Sequence, residues 1–310
     1  MFHEKHCYSK TAFNIFIKKQ NNMNYRSYSH IGKKKVNEDY VINSENSFIV
    51  CDGVGGEVRG EIASKEIATF ILKRLEKIDG NLSKEKVYEA IITAQKNLNT
   101  YIQEKEDLAG MATTLAAVFI SDKGLYTSHI GDSRVYLVRP SNHTFWHTWD
   151  HSLVGNLVKN GEISREAGRK HPMNNQIFKA IKANFKDKVT EPEINYITDI
   201  RKDDIIFICS DGISEAFSDV ELLEVLADSA NGIDEKIAMI AKKCAEDSID
   251  NNTAILCQIE KEDVPKTTLI PLEWKTIASL HENDSLDTVS LEDTTEEEEE
   301  EPKKKKWFRF

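Results

Sequence analysis

The sequence predicts an α+β fold in which strands and helices form separate layers. Between about residues 25 and 260, short β-type runs alternate with helix-type stretches, and the strands outnumber the helices. Some strands follow each other after only a few residues, at 121–124 and 131–134, and such short connections favour antiparallel neighbours. A regular βαβ repeat would place a helix between successive strands, so the pattern favours clustered strands covered by helices.

The first half of this region predicts one short apolar strand, at 48–51, followed by two amphipathic helices. Apolar residues at helical spacing predict that the first helix buries one face, which carries Ala63, Ile67, Phe70, Ile71, Leu75 and Ile78. The second helix is predicted to begin after Ser83 as N-cap, with Val87, Ala90, Ile91, Ala94, Leu98 and Ile102 on one face. Each helix therefore covers one side of a core.

The second half predicts more strands than helices. Strands are expected at 115–120, 125–130, 135–138, 205–209 and 254–258. The sequence Ser218-x-x-Glu221 is a capping box that predicts a helix start, and a further helix is expected over 233–244.

Composition divides the chain into three parts. We predict an N-terminal extension at 1–23, one folded domain at 24–260 and a disordered tail at 261–310. The tail is predicted because apolar density falls after about residue 261 and the chain ends in the acidic run 296–301 followed by KKKKWFRF.

The bulk composition favours a soluble globular protein. The 310 residues are 40% hydrophobic and 30% charged, and no apolar run approaches the roughly 20 residues needed to cross a bilayer. The net charge of -11 argues against nonspecific nucleic-acid binding. The cysteines are scattered without a Cys-x-x-Cys pair, which predicts buried, reduced thiols and a cytoplasmic protein.

Aspartates recur at the ends of the predicted buried strands. They are Asp52 after 48–51, Asp132 after 125–130, Asp211 after 205–209 and Asp250 before 254–258. A single Asp-Gly of this kind is most often a turn. Four such sites predict carboxylates that converge at one edge of the core, where like charges are costly unless cations neutralise them.

The donor types indicate which cation is expected. Carboxylates and backbone carbonyls are hard oxygen ligands that suit Mg²⁺ or Mn²⁺, whereas zinc sites usually recruit His or Cys. The histidines near these segments lack metal-ligand spacing and are predicted to have structural or hydrogen-bonding roles; they are His30, His129, His151 and His171.

Other catalytic motifs fit poorly. His6-Cys7 begins like a cysteine-phosphatase loop, but Phe13 stands where that loop needs Arg. Gly53-x-Gly55 resembles a dinucleotide fingerprint, but Val58 occupies the third glycine position. The sequence contains neither a Walker-type loop nor a Gly-x-Ser-x-Gly nucleophile elbow.

Eight short motifs occur in a fixed order within residues 25–260. They are NEDY at 37–40, DGVGG at 52–56, GMATT at 110–114, GDSRVY at 131–136, DHSL at 150–153, HPMNN at 171–175, SDGISE at 210–215 and DNNT at 250–253. Together they resemble the motifs of the type 2C (PPM) metal-dependent serine/threonine protein phosphatases, and the Gly-Gly at 55–56 resembles the bacterial branch. The resemblance implies a four-layer α-β-β-α sandwich, with two central antiparallel sheets flanked by helices.

The resemblance also implies the catalytic residues, which are Asp52, Asp211 and Asp250. Asp52 is expected to bridge two Mn²⁺ or Mg²⁺ ions, Gly53 to offer its carbonyl to one of them, and Asp211 and Asp250 to complete the other. The ions are expected to activate a water for in-line displacement of phosphoserine and phosphothreonine, so no protein nucleophile is needed.

Further roles follow from the same resemblance. Glu38 and Asp39 are expected to act mainly through metal-bound waters, and Asp132 to help hold a third, weaker ion or to orient water. Lys34 stands where many family members have an arginine that grips the substrate phosphate, and lysine lacks the planar fork of arginine. Looser phosphate binding is therefore expected.

The segment 160–174 matches the flap beside the active site of bacterial relatives and includes Gly161, His171 and Asn174. Substrate selection is expected there. The expected partners are phosphorylated proteins and a cognate serine/threonine kinase, with a monomeric enzyme. The terminal KKKKWFRF is a candidate for weak docking to an anionic membrane or an acidic protein groove, with a solvated tail as the alternative. A catalytically silent scaffold and a hydrolase of other phosphoesters remain alternative functions.

Overall fold

The computed structural model describes residues 16–20, 23–54, 59–77, 81–122, 124–260 and 274–280. The strands are β1 (Phe16–Gln20), β2 (Met23–His30), β3 (Tyr40–Asn43), β4 (Ser47–Cys51), β5 (Gly53–Val54), β6 (Ala112–Thr113), β7 (Leu115–Ser121), β8 (Gly124–Ile130), β9 (Arg134–Arg139), β10 (Thr144–His147), β11 (Ile181–Lys182), β12 (Glu193–Ile197), β13 (Ile205–Cys209), β14 (Asn252–Ile259) and β15 (Lys275–Thr276). The α-helices are α1 (Gly60–Leu75), α2 (Lys84–Tyr101), α3 (Leu153–Lys159), α4 (Arg165–Arg169), α5 (Asp211–Ala216), α6 (Asp219–Ala227) and α7 (Ile233–Asp247).

The strands form two large antiparallel sheets and one small one. The larger sheet has the order β1-β2-β14-β13-β9-β10-β15, and the second has the order β12-β8-β7-β4-β3. The small sheet joins β11, β6 and β5. Helices α1 and α2 pack on the outer face of the second sheet, while α5, α6 and α7 pack on the outer face of the larger one. The predicted four-layer α-β-β-α sandwich is confirmed.

Strand β13 explains why some of the strands are continuous apolar runs rather than alternating ones. Ile206 and Ile208 point into the core between the two sheets, whereas Phe207 and Cys209 point toward the helices. Successive side chains in a strand point to opposite faces, so a strand covered on both sides must be apolar throughout. The strand ends that carry functional residues are therefore held by core on both faces.

The predicted helix starts and buried faces are confirmed. The Ser83 side chain accepts a hydrogen bond from the Lys86 backbone amide, and Ser218 and Glu221 form the reciprocal capping box at α6. In α1, however, Phe70 and Leu75 are only partly buried, and Ala68 and Leu72 take their place in the inner face. Ile78 lies outside the described residues.

The prediction that the strands before and after 131–134 are antiparallel neighbours is wrong. Strand β8 belongs to the second sheet and β9 to the larger one, so residues 131–133 cross from one sheet to the other. Gly131 permits this crossing because its φ is +103° and a Cβ there would lie 2.7 Å from the Thr114 side chain. A short connection therefore joined two packed sheets instead of two paired strands.

Ordered structure extends past both predicted domain boundaries. Strand β1 lies within the predicted N-terminal extension and pairs with β2. On the other side, β15 pairs with β10, and Ile277 and Leu280 are buried against the larger sheet and its helices. The prediction of disorder after 260 is thus wrong for 274–280. The remaining tail, with KKKKWFRF, lies outside the described residues.

The predicted burial of the cysteines as free thiols is confirmed for the four that lie within the described residues. Cys51, Cys209, Cys244 and Cys257 are buried free thiols. Burial raises the pKa of the Cys244 thiol to about 11, so it remains protonated near neutral pH. Cys7 lies outside the described residues. Within the described part of the chain, none of the helices combines the length and apolar character that a membrane span requires.

The packing of 274–280 gives a prediction for stability. Ile277→Ala is expected to lower the free energy of unfolding by about 2–4 kcal/mol, because it removes a fully buried side chain and leaves a cavity. The matched control is Thr276→Ala, an exposed position in the same segment, with an expected change within about 0.5 kcal/mol. Urea unfolding measures both. Equal stability of wild type and Ile277→Ala would show that this segment does not pack on the domain.

Candidate active site

The sheet topology brings the aspartate-bearing segments to one edge of the sandwich. In the larger sheet, Cys209 at the end of β13 lies opposite Ala254 on one side and Arg134 on the other. The loops that carry Asp211, Asp250 and Asp132 therefore leave the sheet side by side. Asp52 follows the end of β4 in the facing sheet.

These carboxylates form an acidic cluster, defined here as Glu38, Asp39, Asp52, Asp132, Asp211 and Asp250. Burial, and then the nearby charges of Asp39, Asp211 and Asp132, raise the pKa of Asp52 well above its usual range. Burial and the charge of Asp250 raise the pKa of Asp211 to about 6. These shifts reflect burial first and then like charges in close proximity.

The acidic cluster fits divalent cations with hard oxygen ligands. Asp39 is buried, and its Oδ1 has no hydrogen-bond partner among the described residues, while Oδ2 accepts a hydrogen bond from Ser210 Oγ at 2.7 Å. Burial raises the pKa of Asp39 to about 7. The aspartates at the strand ends are half-buried and so reachable from solvent. A buried carboxylate oxygen without a protein partner, such as Asp39 Oδ1, would be satisfied by Mg²⁺ or Mn²⁺ or by a water bound to such an ion.

The backbone around Asp52 is fixed by threonines. Its amide donates to Thr114 Oγ1 at 3.0 Å, and its carbonyl accepts from Thr113 Oγ1 and from the Thr114 amide, each at 2.8 Å. Gly53 must be glycine, because a Cβ there would lie 2.5 Å from the backbone of Gly60. The position of Asp52 therefore depends on close backbone packing.

Asn251 is a supporting residue to which the sequence analysis assigned no role. Its Oδ1 accepts from the Glu38 amide at 2.8 Å, and its Nδ2 donates to the carbonyls of Ile31 and Val36 at 2.8 and 3.0 Å. One side chain thus connects the loop that carries Lys34 and Glu38 with the segment that carries Asp250.

Glu215 is a second supporting residue that the sequence analysis missed. Its Oε2 accepts hydrogen bonds from Ser248 Oγ and the Ile249 amide, each at 2.8 Å, and from the Asp250 amide at 2.9 Å. The position of Glu215 one turn after Asp211 was visible in the sequence, but the amides that it binds could not be inferred.

Arg134 forms a third unanticipated contact beside the acidic cluster. Its Nε and Nη2 each donate to one Asp150 oxygen at 2.6 Å, which is a bidentate ion pair. Both side chains are largely buried. Because Arg134 follows Asp132 by two residues, this pair holds the start of β9 at the edge of the cluster.

Lys34 and Glu38 lie at the rim of the acidic cluster. Lys34 Nζ is 3.0 Å from Asp250 Oδ2, and the Lys34 side chain is 47% exposed. Among the described residues, Lys34 is the one cation that forms an ion pair with a member of the cluster. Burial and then the Glu61 charge raise the pKa of Glu38.

A cleft of about 430 Å³ leads from the acidic cluster to the flap (residues 160–174). Its walls include Asp132, Asp211 and Asp250 on one side and Asn174 of the flap on the other. Gly161 lies outside this lining and ends the turn after α3 with φ of +74°. His171 also lies outside it, and its Nδ1 accepts from the Met173 amide at 3.1 Å.

His129 and His151 have structural contacts rather than the geometry of a metal site. Together with Glu193 they bring possible ligand atoms within 4.8 Å of one another. The two rings, however, are stacked at 4.4 Å with planes 4° apart, so their in-plane lone pairs run parallel and cannot converge on one ion. His151 Nδ1 instead accepts from the Gly131 amide at 3.1 Å, and His129 Nε2 lies 2.9 Å from the Trp149 carbonyl.

Comparisons with known proteins agree with this geometry. The family model described as protein phosphatase 2C matches residues 26–252. The chain is 31% identical over 242 residues to a putative protein phosphatase 2C-type of Streptococcus pyogenes, a match that covers 76% of this chain and 96% of that protein.

Solved structures give the same result. A crystal structure of the Mycobacterium tuberculosis serine/threonine phosphatase PstP/Ppp has a TM-score of 0.68 at 28% identity, covering 77% of this chain and 100% of that one. The catalytic domain of serine threonine protein phosphatase PstP in complex with 2 manganese ions has a TM-score of 0.67 at 26% identity, covering 77% and 99% of the two chains.

The acidic cluster predicts how stability depends on pH in the presence of a chelator. The folded-state pKa values of Asp39 and Asp211, about 7 and about 6, lie above the value of about 3.9 expected in an unfolded chain. Between these limits the folded protein binds more protons than the unfolded protein. The free energy of unfolding should therefore fall as pH rises from about 4 through about 7, by several kcal/mol at about 1.4 kcal/mol per unit of pKa shift.

Urea unfolding with chelator at about pH 5 and about pH 8 measures this dependence. Saturating Mn²⁺ should restore stability at the higher pH, because cations neutralise the ionised carboxylates. Asp39→Asn is the control and should flatten the dependence. Stability that rises over this pH interval in chelator would contradict the like-charge description of the cluster.

Proposed function

The chain belongs to the protein phosphatase 2C family, and on that premise we propose that the acidic cluster is its catalytic centre. The enzyme is a metal-dependent protein serine/threonine phosphatase, a hydrolase of phosphoric monoesters. The observation that carries the assignment of the site is the convergence of carboxylates from both sheets at one solvent-reachable edge. Holding like charges together at this edge costs free energy, and a role in binding catalytic metal ions accounts for that cost.

This placement supports the following set of metal ligands. Asp52, Asp211 and Asp250, with the Gly53 carbonyl, would hold a pair of divalent cations. When bound, these cations activate a water and neutralise the phosphoryl oxygens during in-line displacement. The donor set favours Mn²⁺ or Mg²⁺. Asp132 would contribute to a third, weaker site or orient water.

The remaining members of the cluster act at a distance from the ions. Asp39, which is fixed by Ser210, and Glu38, which is fixed through its amide by Asn251, would accept hydrogen bonds from waters in the centre. Ser210 Oγ donates to the Asp39 carboxylate, whereas Asn251 Oδ1 accepts from the Glu38 backbone amide, so both residues are positioned by neutral groups. Their remaining carboxylate oxygens would keep those waters oriented.

Lys34 would bind the substrate phosphate. It reaches Asp250 across the rim of the cluster, and its half-exposed ammonium group faces the solvent side from which a phosphorylated segment enters. Because the Lys34 ammonium group is half-exposed, solvent and salt partly screen its attraction to the phosphate, which is that of a single point charge.

The cleft supports a protein substrate. It runs from the acidic cluster to the flap and is lined by both polar and apolar side chains, among them Asn174, Val158 and Phe217. A cognate serine/threonine kinase, a monomeric state and a cytoplasmic location complete the proposal. The docking role of KKKKWFRF concerns residues that the structure does not describe.

Two aspartate substitutions test the catalytic assignment. Asp52→Asn and Asp250→Asn should each reduce Mn²⁺-dependent release of p-nitrophenol from p-nitrophenyl phosphate by at least about 100-fold, because each removes a charged metal ligand. Asp122→Asn, at an exposed turn between β7 and β8, is the matched control and should leave the rate unchanged.

The same assay separates the alternative functions. Wild-type protein that is inactive with Mn²⁺ but binds a phosphoprotein would favour the silent scaffold. Higher kcat/KM on nucleotides than on a panel of phosphopeptides would favour a hydrolase of other phosphoesters. Activity retained in Asp52→Asn would remove the catalytic assignment.

Lys34 gives a separate prediction. Lys34→Arg should lower KM for p-nitrophenyl phosphate about twofold to fivefold, because the guanidinium can form two hydrogen bonds with one phosphate. Lys35→Arg, an exposed neighbour, should leave KM unchanged. An unchanged or higher KM for Lys34→Arg would show that Lys34 does not bind the phosphate.

A further inference from the structure

Arg165 is the first residue of α4 in the flap, and its side chain enters a largely buried polar site. The guanidinium donates to Asp219 through Nη1 and to His147 Nε2 through Nη2 at 2.9 Å. It also lies 5.0 Å from the centre of the Trp149 ring, within the range of a cation–π interaction. Both Arg165 and Asp219 are only 14% exposed. The flap is thus attached to the body of the domain by a desolvated ion pair.

Asp219 and His147, the residues that bind Arg165, are held in place by contacts within the body of the domain and not by the flap. Asp219 is the first residue of α6, and its Oδ1 accepts from Arg134 Nη1 at 3.1 Å. His147 Nδ1 faces the Thr148 carbonyl at 2.6 Å, so Nδ1 carries the proton and Nε2 is left as an acceptor. Burial and then the Arg165 charge lower the pKa of His147 to about 3, so the neutral ring accepts at neutral pH.

The other polar contacts of α4 are exposed. Lys170 pairs with Glu166 one turn away, but their side chains are 75% and 44% exposed. Arg169 donates to the Glu215 carbonyl at 2.8 Å on the surface. Exposed pairs of this kind contribute little to holding a segment in place. Within α4 itself, Gly168 is the one buried residue, so the helix has little apolar surface to fix it.

Arg165, Asp219 and Arg134 also form a continuous path to the acidic cluster. Arg134 binds both Asp219 and Asp150, and it follows Asp132 by two residues. The cleft that holds the aspartates is lined on its far side by Arg165 and Asn174. The position of Arg165 therefore sets the distance between the flap and the catalytic carboxylates.

We propose that Arg165 is a positioning residue that holds the flap over the cleft and thereby determines how tightly a phosphorylated protein segment binds. This inference rests on the proposed function, and it concerns the binding of extended substrates rather than the chemical step. A small aryl phosphate reaches the acidic cluster without touching the flap, so its hydrolysis does not depend on Arg165. A phosphopeptide must contact the flap wall of the cleft, so its binding does.

Steady-state kinetics of Arg165→Ala with two substrates tests this. For a phosphothreonine peptide, KM should rise about tenfold with kcat within about twofold of wild type. For p-nitrophenyl phosphate, both parameters should stay within about twofold. Lys170→Ala is the matched control, since it removes a cation from the end of the same helix, and it should behave like wild type with both substrates.

Amide hydrogen exchange of the full chain provides a readout that does not depend on activity. In Arg165→Ala, amides of 160–174 should exchange about tenfold faster, with unchanged exchange in β13 and β14. Lys170→Ala should leave flap exchange unchanged. Arg165→Lys keeps the charge without the fork, so flap exchange and peptide KM should lie between those of wild type and Arg165→Ala.

Two results would overturn the inference. One is unchanged flap exchange in Arg165→Ala. The other is an equal loss of kcat/KM with both substrates, which would place the effect in the catalytic centre. If Arg165→Ala unfolds, the Arg165→Lys data decide by the same criteria. Wild-type protein that hydrolyses neither substrate with Mn²⁺ would instead contradict the proposed function, and flap exchange would then test the attachment by Arg165 alone.

Discussion

Repulsion among carboxylates that two packed sheets bring to one edge is the constraint on which the rest of the structure depends. Burial raises the pKa of Asp52, and the charges of Asp39, Asp211 and Asp132 raise it further. The edge cannot relax by separating, because strands such as β13 are paired on both sides and buried on both faces. The proposed cation site is therefore preformed by the core, and ions bound there would relieve a repulsion that folding has already imposed.

The support around the cluster is mostly neutral. Thr114, Ser210 and Asn251 supply hydroxyl and amide groups to the backbone and to Asp39, and Glu215 binds backbone amides rather than a cation. Neutral hydrogen-bonding groups, whether donors or acceptors, fix geometry without competing with metal ions for the carboxylates. Arg134, which lies beside the cluster, is already engaged by Asp150 and Asp219, so it contributes position more than neutralisation.

Local patterns in the sequence predicted the elements well, because periodicity and capping act over a few residues. Ser83, the Ser218 box and the apolar runs all appear where they were expected. The sheet to which each strand belongs was not predictable from spacing, as the connection at Gly131 illustrates. Supporting contacts were also missed, because Asn251 and the Glu38 amide are 213 positions apart. The packing of 274–280 depends on only three apolar residues, Trp274, Ile277 and Leu280, too few for a periodic signal.

The crossing at 131–133 has a consequence for how the centre responds to change elsewhere. Asp132 lies on the backbone that passes directly from β8 in one sheet to β9 in the other. Asp52, by contrast, follows β4 of the second sheet. Any sliding of one sheet over the other would therefore move the Asp132 carboxylate relative to Asp52. If these carboxylates hold the ions as proposed, the crossing couples ion affinity to the alignment of the two sheets, so repacking deep in the interior would change the affinity without replacing a single ligand.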